Sequence, residues 1–436
     1  MLASLIAAFK LPDLRRRILF VFGMFAIFVA CLHVPVPNID RTAMANLVER
    51  GGALFGLFDV FSGGAFRRFS ILAMSVTPYI NASIIFQLLT MAVPRLEQLA
   101  KEGETGRKKI GQYTRYLTVI LAIVQATGLV LMLARMEPPI VTTRDVTAIV
   151  GMVITLTAGT CFLMWLGEQI TDQGIGNGIS LIIFGGIMAR MPYDVSRTIM
   201  FVREGAISLG SVVLLVIIFL LTVAGIVVIQ QAQRKIPIQH AKRVVGTRMY
   251  GGASTFLPLR VNMAGVIPII FAISVVYLPA TVAQFAPVPD EWEPIKEMIV
   301  AMFSPQVGEV PWTAVTGSLI YFMLVIFFTY FYTAVTFNVP DVADNLKKSG
   351  SFIPGIRPGR PTAEYLDRVL SRITVAGALF LGVIALLQYW VPVITKVETF
   401  TLVGGTSLLI VVGVALETMQ QIEAHLLMRH YEGFIK

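Results

Sequence analysis

The residues that most often carry out chemistry in proteins are few in this sequence, and they do not form groups. The candidates for metal binding or nucleophilic chemistry are His33, His240, His425, His430, Cys31 and Cys161. The histidines show no ligand-like spacing with cysteines or carboxylates, and the two cysteines lie in apolar runs without a CxxC motif. The sequence therefore predicts neither a metal site nor a disulfide framework.

Ionisable residues in the middle of a membrane segment would indicate a proton relay or an intramembrane enzyme, because their high cost is tolerated only where they function. Almost none is present. Glu168, Asp172, Arg190 and Glu417 all lie near the ends of apolar runs. The glycine-rich stretches 101–109 and 172–180 lack the spacing or the preceding strand of a nucleotide-binding loop. We therefore expect no enzyme activity and no cofactor, and energy for directed work would come from a partner.

The elements that must position any site are membrane helices. Hydrophobic residues make up 56% of the 436 residues, charged residues 14%, and the mean hydropathy is +0.76. This composition is typical of a polytopic, all-α membrane protein. Ten spans are predicted, at 18–35, 71–93, 114–134, 147–166, 178–191, 209–231, 261–284, 313–337, 372–392 and 397–418.

The topology follows from the number of spans and from the basic loops. An even number of spans places both termini on one side, and most of the 35 lysines and arginines lie in segments on that side. The positive-inside rule therefore predicts cytoplasmic termini and two cytoplasmic loops, at about 233–260 and 339–372. Ten spans also divide into halves, 1–200 and 201–436, each with five spans. An odd number of spans makes the second half inverted relative to the first.

One segment does not fit a simple span. The sequence FDVFSGGAFRRFS (58–70) is nearly apolar enough for a membrane, but a Ser-Gly-Gly break and two arginines interrupt it. Backbone that is not helical is tolerated at membrane depth only inside protein or beside a wet cavity. The segment is either a half-helix that folds back into the protein or a short helix lying at the membrane interface.

Several longer motifs carry a family resemblance. They are TPYINASIIFQLLT (77–90), KEGETGRKKIGQYTRY (101–116), TDQGIGNGIS (171–180), VNMAGVIP (261–268), DNLKKSGSFIPGIRPGRPT (344–362) and GGTSLLIVV (404–412). In this order they resemble the SecY family, the channel subunits of the bacterial Sec protein translocase. The resemblance runs from about residue 10 to the C-terminus. It departs from the family pattern only at Pro361 and in the short C-terminal tail.

The resemblance implies a fold. Two five-helix halves open like a clamshell around a central pore, and spans 2/3 and 7/8 form a lateral gate to lipid. Residues 55–70 become a re-entrant plug. Its implied plug residues are Phe58, Phe61, Ser62, Gly63 and Gly64.

The resemblance also implies a pore ring of aliphatic side chains. Carried over position by position, the ring consists of Val76, Ile80, Ile183, Ile187, Ile270 and Ile410. A narrow apolar girdle excludes water and ions, and it does not bind any particular substrate sequence. Without the resemblance, an aliphatic residue in a membrane helix is most often ordinary packing.

Two further sets of residues follow from the resemblance. Gln87, Thr90 and Asn262 are expected to hold the lateral gate closed until a signal peptide enters it, although polar residues in spans often serve only helix packing. The expected docking residues for the SecA motor ATPase and the ribosome are Arg357, Arg360, Lys347, Lys348, Lys242, Arg243 and Arg248. The other implied partners are the small subunits SecE and SecG, unfolded preproteins and membrane lipid.

A secondary transporter of small solutes is the alternative, since broken helices and inverted halves occur there too. The near-absence of charge within the spans and the basic loops favour the protein channel. The expected location is the bacterial inner membrane.

Overall fold

The computed structural model describes most of the chain. The described residues are 9–50, 59, 62–136, 140–240, 243–245, 248–250, 254–272, 275–276, 292, 294, 298, 311–397 and 405–432. Side chains are described for the same residues except 49–50, 243–245, 248–250, 254, 311–314 and 429–432.

The described residues are mainly helical, which confirms the predicted fold class. The helices are α1 (Pro12–Cys31), α2 (Arg41–Arg50), α3 (Ala65–Arg68), α4 (Thr77–Ala92), α5 (Pro94–Lys101), α6 (Glu104–Arg135), α7 (Val146–Gln173), α8 (Gly178–Arg203), α9 (Leu209–Gln231), α10 (Pro311–Thr336), α11 (Val339–Lys348), α12 (Arg360–Thr395) and α13 (Gly405–Glu432). Six helices in this part of the chain are long and apolar enough to cross a membrane. They are α6, α7, α9, α12, α13 and the region Val315–Lys348, which covers most of α10 and all of α11.

Several of the predicted span boundaries differ from the helix ends in the structure. The first span begins earlier, because α1 starts at Pro12. The second span begins later, since residues 71–76 form turns and α4 starts at Thr77. The fifth span continues through Pro192 to Arg203. Of the predicted seventh span, residues 261–272 and 275–276 are described, and 267–272 and 275–276 are helical.

The loop after α9, together with a short segment after α11, forms two small sheets that were not predicted from the sequence. The strands are β1 (Gln233–His240), β2 (Arg243–Val245), β3 (Arg248–Tyr250), β4 (Ser254–Arg260) and β5 (Ser351–Phe352). In the larger sheet β1 lies between β4 and β5 and is antiparallel to both, and in the smaller sheet β2 pairs with β3. The larger sheet therefore joins two loops that are far apart in the sequence.

The chain divides into two compact units, residues 1–200 with 414–436, and residues 201–413, so the boundary at the C-terminal end falls inside α13. In the first unit, α6 packs against α4 and α7, and α1 packs against α7. One buried cluster of this unit consists of Leu14, Ile18, Ile175 and Ile422. The predicted halves 1–200 and 201–436 remain a prediction.

The second unit is organised around α12. This helix packs against α10, α9 and α11. Leu215, Val391 and Val397 form one of its buried clusters. Large apolar side chains on the outer faces of its helices are exposed, among them Leu221 at 67% and Phe327 at 60%. Apolar faces of this extent suit contact with lipid tails.

Candidate functional sites

The turn segment, Asp59 together with residues 62–70, lies at the centre of the first candidate site. Its Ser-Gly-Gly break forms a tight turn in which the Gly64 amide donates to the Asp59 carbonyl oxygen at 2.8 Å. The buried Ser62 hydroxyl accepts from the Phe66 amide at 3.0 Å. Ser62, Gly63 and Gly64 thus shape the entry to the short helix α3, whereas Phe58 and Phe61 lie outside the described residues.

The turn segment is buried in protein rather than lying on the surface. Phe66 is 3% exposed and Phe69 is fully buried, in a core that also contains Met44 of α2 and Leu156 of α7. On its other side the Val36 amide donates to the Phe69 carbonyl at 2.9 Å. The packing satisfies the condition under which broken backbone is tolerated at membrane depth.

Helix α2 covers this core and has its own cap. One carboxylate oxygen of Asp40 accepts from the Thr42 amide at 2.8 Å and from the Ala43 amide at 3.2 Å. The Thr42 hydroxyl also donates to it at 2.6 Å. These hydrogen bonds lower the pKa of Asp40, with the Thr42 hydroxyl as the largest cause. A capped α2 gives the turn segment a stable outer wall.

One face of α8 contacts the turn segment. Gly63 and Gly186 meet backbone to backbone, so that a Cβ atom on Gly63 would lie 2.8 Å from the Gly186 Cα atom. Arg67 donates to the Tyr193 hydroxyl at 2.6 Å. Asp59 and Arg190 form a buried ion pair at 2.8 Å. In the sequence Arg190 stood out only as a charge near a span end, and Asp59 was assigned no role, because nothing in the sequence relates the two positions.

The six predicted pore residues all lie within described segments, and none of them is exposed. Val76, Ile187 and Ile410 are 2%, 1% and 5% exposed. Ile80, Ile183 and Ile270 are half-buried. Val76 and Ile80 lie one turn apart at the start of α4, and Ile183 and Ile187 lie one turn apart on α8, so each pair shares a helix face.

Two of the three predicted gate residues, Asn262 and Thr90, form local hydrogen bonds with their side chains. The Asn262 amide group accepts from the Gly265 amide at 2.9 Å and donates to the Gly265 carbonyl at 3.3 Å. The Thr90 hydroxyl donates to the Gln87 carbonyl oxygen in the same helix at 2.7 Å. The Gln87 side chain is exposed. Their role at a gate remains a prediction.

The predicted docking loops form an ordered platform in the second unit. Ile236 and Leu259 from the sheet share a buried core with Val339 of α11, Ile353 and Leu366 of α12. The platform therefore rests on α12, which is one of the helices long and apolar enough to span a membrane. Arg357, Arg360, Lys347 and Lys348 are exposed on it. The backbones of Arg243 and Arg248 lie in β2 and β3, and Lys242 is outside the described residues.

The side chains of Thr362 and His240 fix the loop that presents Arg357 and the strand before it. The Thr362 hydroxyl, 2% exposed as a residue, donates to the Arg357 carbonyl oxygen at 2.8 Å. His240 on β1 lies 2.8 Å from the Ser351 hydroxyl and 3.1 Å from the Thr255 hydroxyl. The histidine thus connects β4 to β5, and neither of these contacts was anticipated from the sequence.

A buried broken segment, aliphatic residues that avoid the surface and a basic platform on a spanning helix define a multi-pass helical membrane protein. The described residues contain no group of three or more side chains suited to holding a metal ion. The family model for SecY matches residues 70–419. The chain belongs to the SecY family.

Relatives and solved structures agree with this assignment. The protein translocase subunit SecY of Streptomyces galbus is 47% identical over the full length of both chains. That of Thermotoga maritima is 46% identical over 98% of this chain and 96% of the relative. A protein-conducting channel structure matches with a TM-score of 0.65 at 17% identity, covering 94% of this chain and 92% of that one. Sec61 in a canine ribosome–channel complex from the endoplasmic reticulum matches with a TM-score of 0.62 at 16% identity, over 94% and 92% of the two chains. None of these matches favours the alternative of a small-solute transporter.

Proposed function

We propose that this chain is the channel-forming subunit of a protein translocase, a passive conduit for unfolded preproteins. The observation that carries the proposal is the packing of the turn segment inside the first unit, in a chain of the SecY family. A segment of this kind can block a conduit when it is in place and open it when it moves. In this reading residues 55–70 are the plug.

The pore ring in this proposal consists of Val76, Ile80, Ile183, Ile187, Ile270 and Ile410. Their lack of exposure supports an inward role, since other apolar residues of the same segments are exposed. An apolar constriction seals by excluding water, and an ion forced into it loses hydration without compensation. Such a ring can admit any side chain without holding one sequence.

The proposal also includes an opening towards lipid between the two halves, 1–200 and 201–436, with Gln87, Thr90 and Asn262 at its edges. Signal peptides are short apolar helices, so they partition into such an opening by hydrophobicity. Transmembrane segments of substrates leave the channel by the same route.

The basic platform is the proposed docking surface. Its exposed arginines and lysines suit an acidic protein surface or the phosphates of ribosomal RNA. We assign SecA and the ribosome as its partners, and SecE and SecG as companion membrane subunits. The location that follows is the bacterial inner membrane, with both termini and the platform in the cytoplasm.

Reconstitution into vesicles tests the proposal. With SecA and ATP, the purified translocase should move an unfolded preprotein into the vesicle lumen, where it becomes protected from added protease. The same vesicles without the motor should show neither preprotein movement nor uptake of labelled small solutes. Solute accumulation driven by an ion gradient, with no preprotein movement, would instead identify a secondary transporter.

A further inference from the structure

A buried arginine on α8 lies between two carboxylates from different segments. The Nη1 atom of Arg190 is 2.8 Å from Oδ2 of Asp59, and its Nε atom is 3.4 Å from Oδ1 of Asp194. The exposed fractions of the side chains are 14% for Arg190, 2% for Asp59 and 4% for Asp194. The Asp59 contact is an ion pair without the alignment of a hydrogen bond, so its attraction is mainly electrostatic.

The two oxygens of the Asp59 carboxylate have separate tasks. Oδ1 accepts a hydrogen bond from the Arg67 amide at 2.8 Å and so shapes the turn segment itself. Oδ2 faces Arg190 on the neighbouring helix. Because one carboxylate does both, the turn segment is coupled as a unit to the charge on α8.

Two more contacts lie along the same stripe of α8. Gly186, Arg190 and Tyr193 are spaced as i, i+4 and i+7, which places them on one helix face. Gly186 contacts Gly63, and the Arg67 guanidinium lies over the Tyr193 ring, with 5.1 Å between its Cζ atom and the centre of the ring. The arginine is thus the central contact of a surface that fits the turn segment.

We infer that Arg190 is a positioning residue that holds the plug closed through Asp59, and that Asp194 is its counter-ion when the plug leaves. The inference rests on the proposed channel function. Removing one partner of a buried ion pair leaves an uncompensated charge, which is strongly unfavourable. Here the outward movement of Asp59 leaves Arg190 next to Asp194, within its own helix. The Asp194 carboxylate therefore lowers the free-energy cost of opening. It also holds the Arg190 side chain in a position where Asp59 can bind it again.

The test is ion leakage through idle channels in reconstituted vesicles. Asp59→Asn keeps an oxygen that can accept from the Arg67 amide but removes the charge. We expect leakage to rise about tenfold or more, because the loss of a buried pair exceeds the about 1.4 kcal/mol that corresponds to tenfold. Arg190→Gln should have a similar effect. The double variant should leak no more than the worse single variant, since both changes remove the same contact.

The control is Arg115→Gln, which removes an ion pair between α6 and α7 that does not touch the turn segment. Its leakage should stay at the level of the unmodified protein. Asp59→Glu retains the charge and should restore most of the seal. A structural role alone would lower the thermal unfolding midpoint without this charge-dependent pattern. Additive effects of the two single variants, or an unchanged leak in both, would overturn the inference.

The exposed contact between Arg67 and Tyr193 provides a second test if Arg190→Gln does not fold. Arg67→Gln removes the bond to the Tyr193 hydroxyl at the surface, where folding tolerates change, and should raise leakage by less than Asp59→Asn. No change in either of these variants would overturn the inference. Preprotein movement with SecA and ATP is measured in the same vesicles. If the unmodified protein moves preprotein while the variants leak no more than it does, the role inferred for Arg190 and Asp59 is wrong, but the proposed channel function is supported.

Discussion

At the scale of single residues, two adjacent glycines of the turn segment differ in what surrounds them. Gly63 and Gly64 are neighbours, and both have left-handed backbone, with φ of +69° and +82°. Only Gly63 faces another backbone, that of Gly186, whereas a Cβ atom on Gly64 would have nothing within 4 Å. The two positions therefore separate backbone strain from steric contact.

We expect Gly63→Ala to displace the turn segment and raise ion leakage several-fold, because its methyl group collides with backbone that cannot rotate away. Gly64→Ala carries the same left-handed strain, roughly 1–2 kcal/mol, without the collision. It should leak much less. Conductance of single channels in planar bilayers provides the measurement. Equal leakage from both variants would show that strain, and not the contact with α8, controls the seal.

At the scale of elements, the docking platform depends on short polar links between segments. The loop from Ile353 to Gly359 turns twice, and the Thr362 hydroxyl binds it to the first turn of α12. Since Arg357 lies within this loop, the order of the loop decides where its charge is presented.

Thr362→Val preserves the side-chain shape and removes the hydrogen bond to the Arg357 carbonyl. A lost buried hydrogen bond costs about 1 kcal/mol. We expect the affinity for SecA, the partner proposed above, to fall about fivefold, because binding then has to order the loop. Titration of labelled SecA against the reconstituted channel would measure this, with Thr362→Ser as the matched control that keeps the hydroxyl. If the valine variant binds as tightly as the serine variant, the loop does not need this link.

At the scale of the whole molecule, a glycine lets the long helix α7 pack closely against the turn region. Gly159 on α7 meets the backbone at the start of the second predicted span. A Cβ atom there would lie 1.9 Å from the Ile71 carbonyl oxygen, while Gly151 on the same helix has nothing within 4 Å. The tight site joins the turn region to a spanning helix.

Gly159→Ala should therefore destabilise the protein by about 1–3 kcal/mol, the usual cost of overpacking. Gly151→Ala should be neutral or slightly stabilising, because alanine favours helix over glycine. Thermal unfolding of the two variants in the same detergent distinguishes these effects. A lower midpoint for Gly151→Ala than for Gly159→Ala would contradict the described packing.

Much of this architecture could be predicted from hydropathy and charge, but the turn region could not. Residues 71–76 are as apolar as a span, and composition does not separate helix in lipid from turns buried in protein. The resemblance to SecY indicated the break, yet not its contacts. Asp59 and Arg190 are far apart in the sequence, and no periodicity relates them.

The sheet of the platform was missed although a signal was present. In β1, Ile236 and Ile238 are buried and their neighbours are exposed, which is the alternation of a strand. The many basic and polar residues around them favoured a loop. The contacts of Asn262 within its own turn also could not be read from the sequence, because an asparagine before a helix serves equally as a cap or as a partner.

The base of the β1–β4 hairpin is a mechanical feature of the second unit. α9 ends at Gln231, β1 begins two residues later, and the Val261 amide donates to the Ala232 carbonyl oxygen at 3.0 Å just beyond the last strand pair. The paired strands extend about 20 Å, at roughly 3.3 Å per residue. A partner that pushes on the outer end of the hairpin therefore exerts a torque on its base. The beginning of the predicted seventh span lies at this base, so it receives the torque.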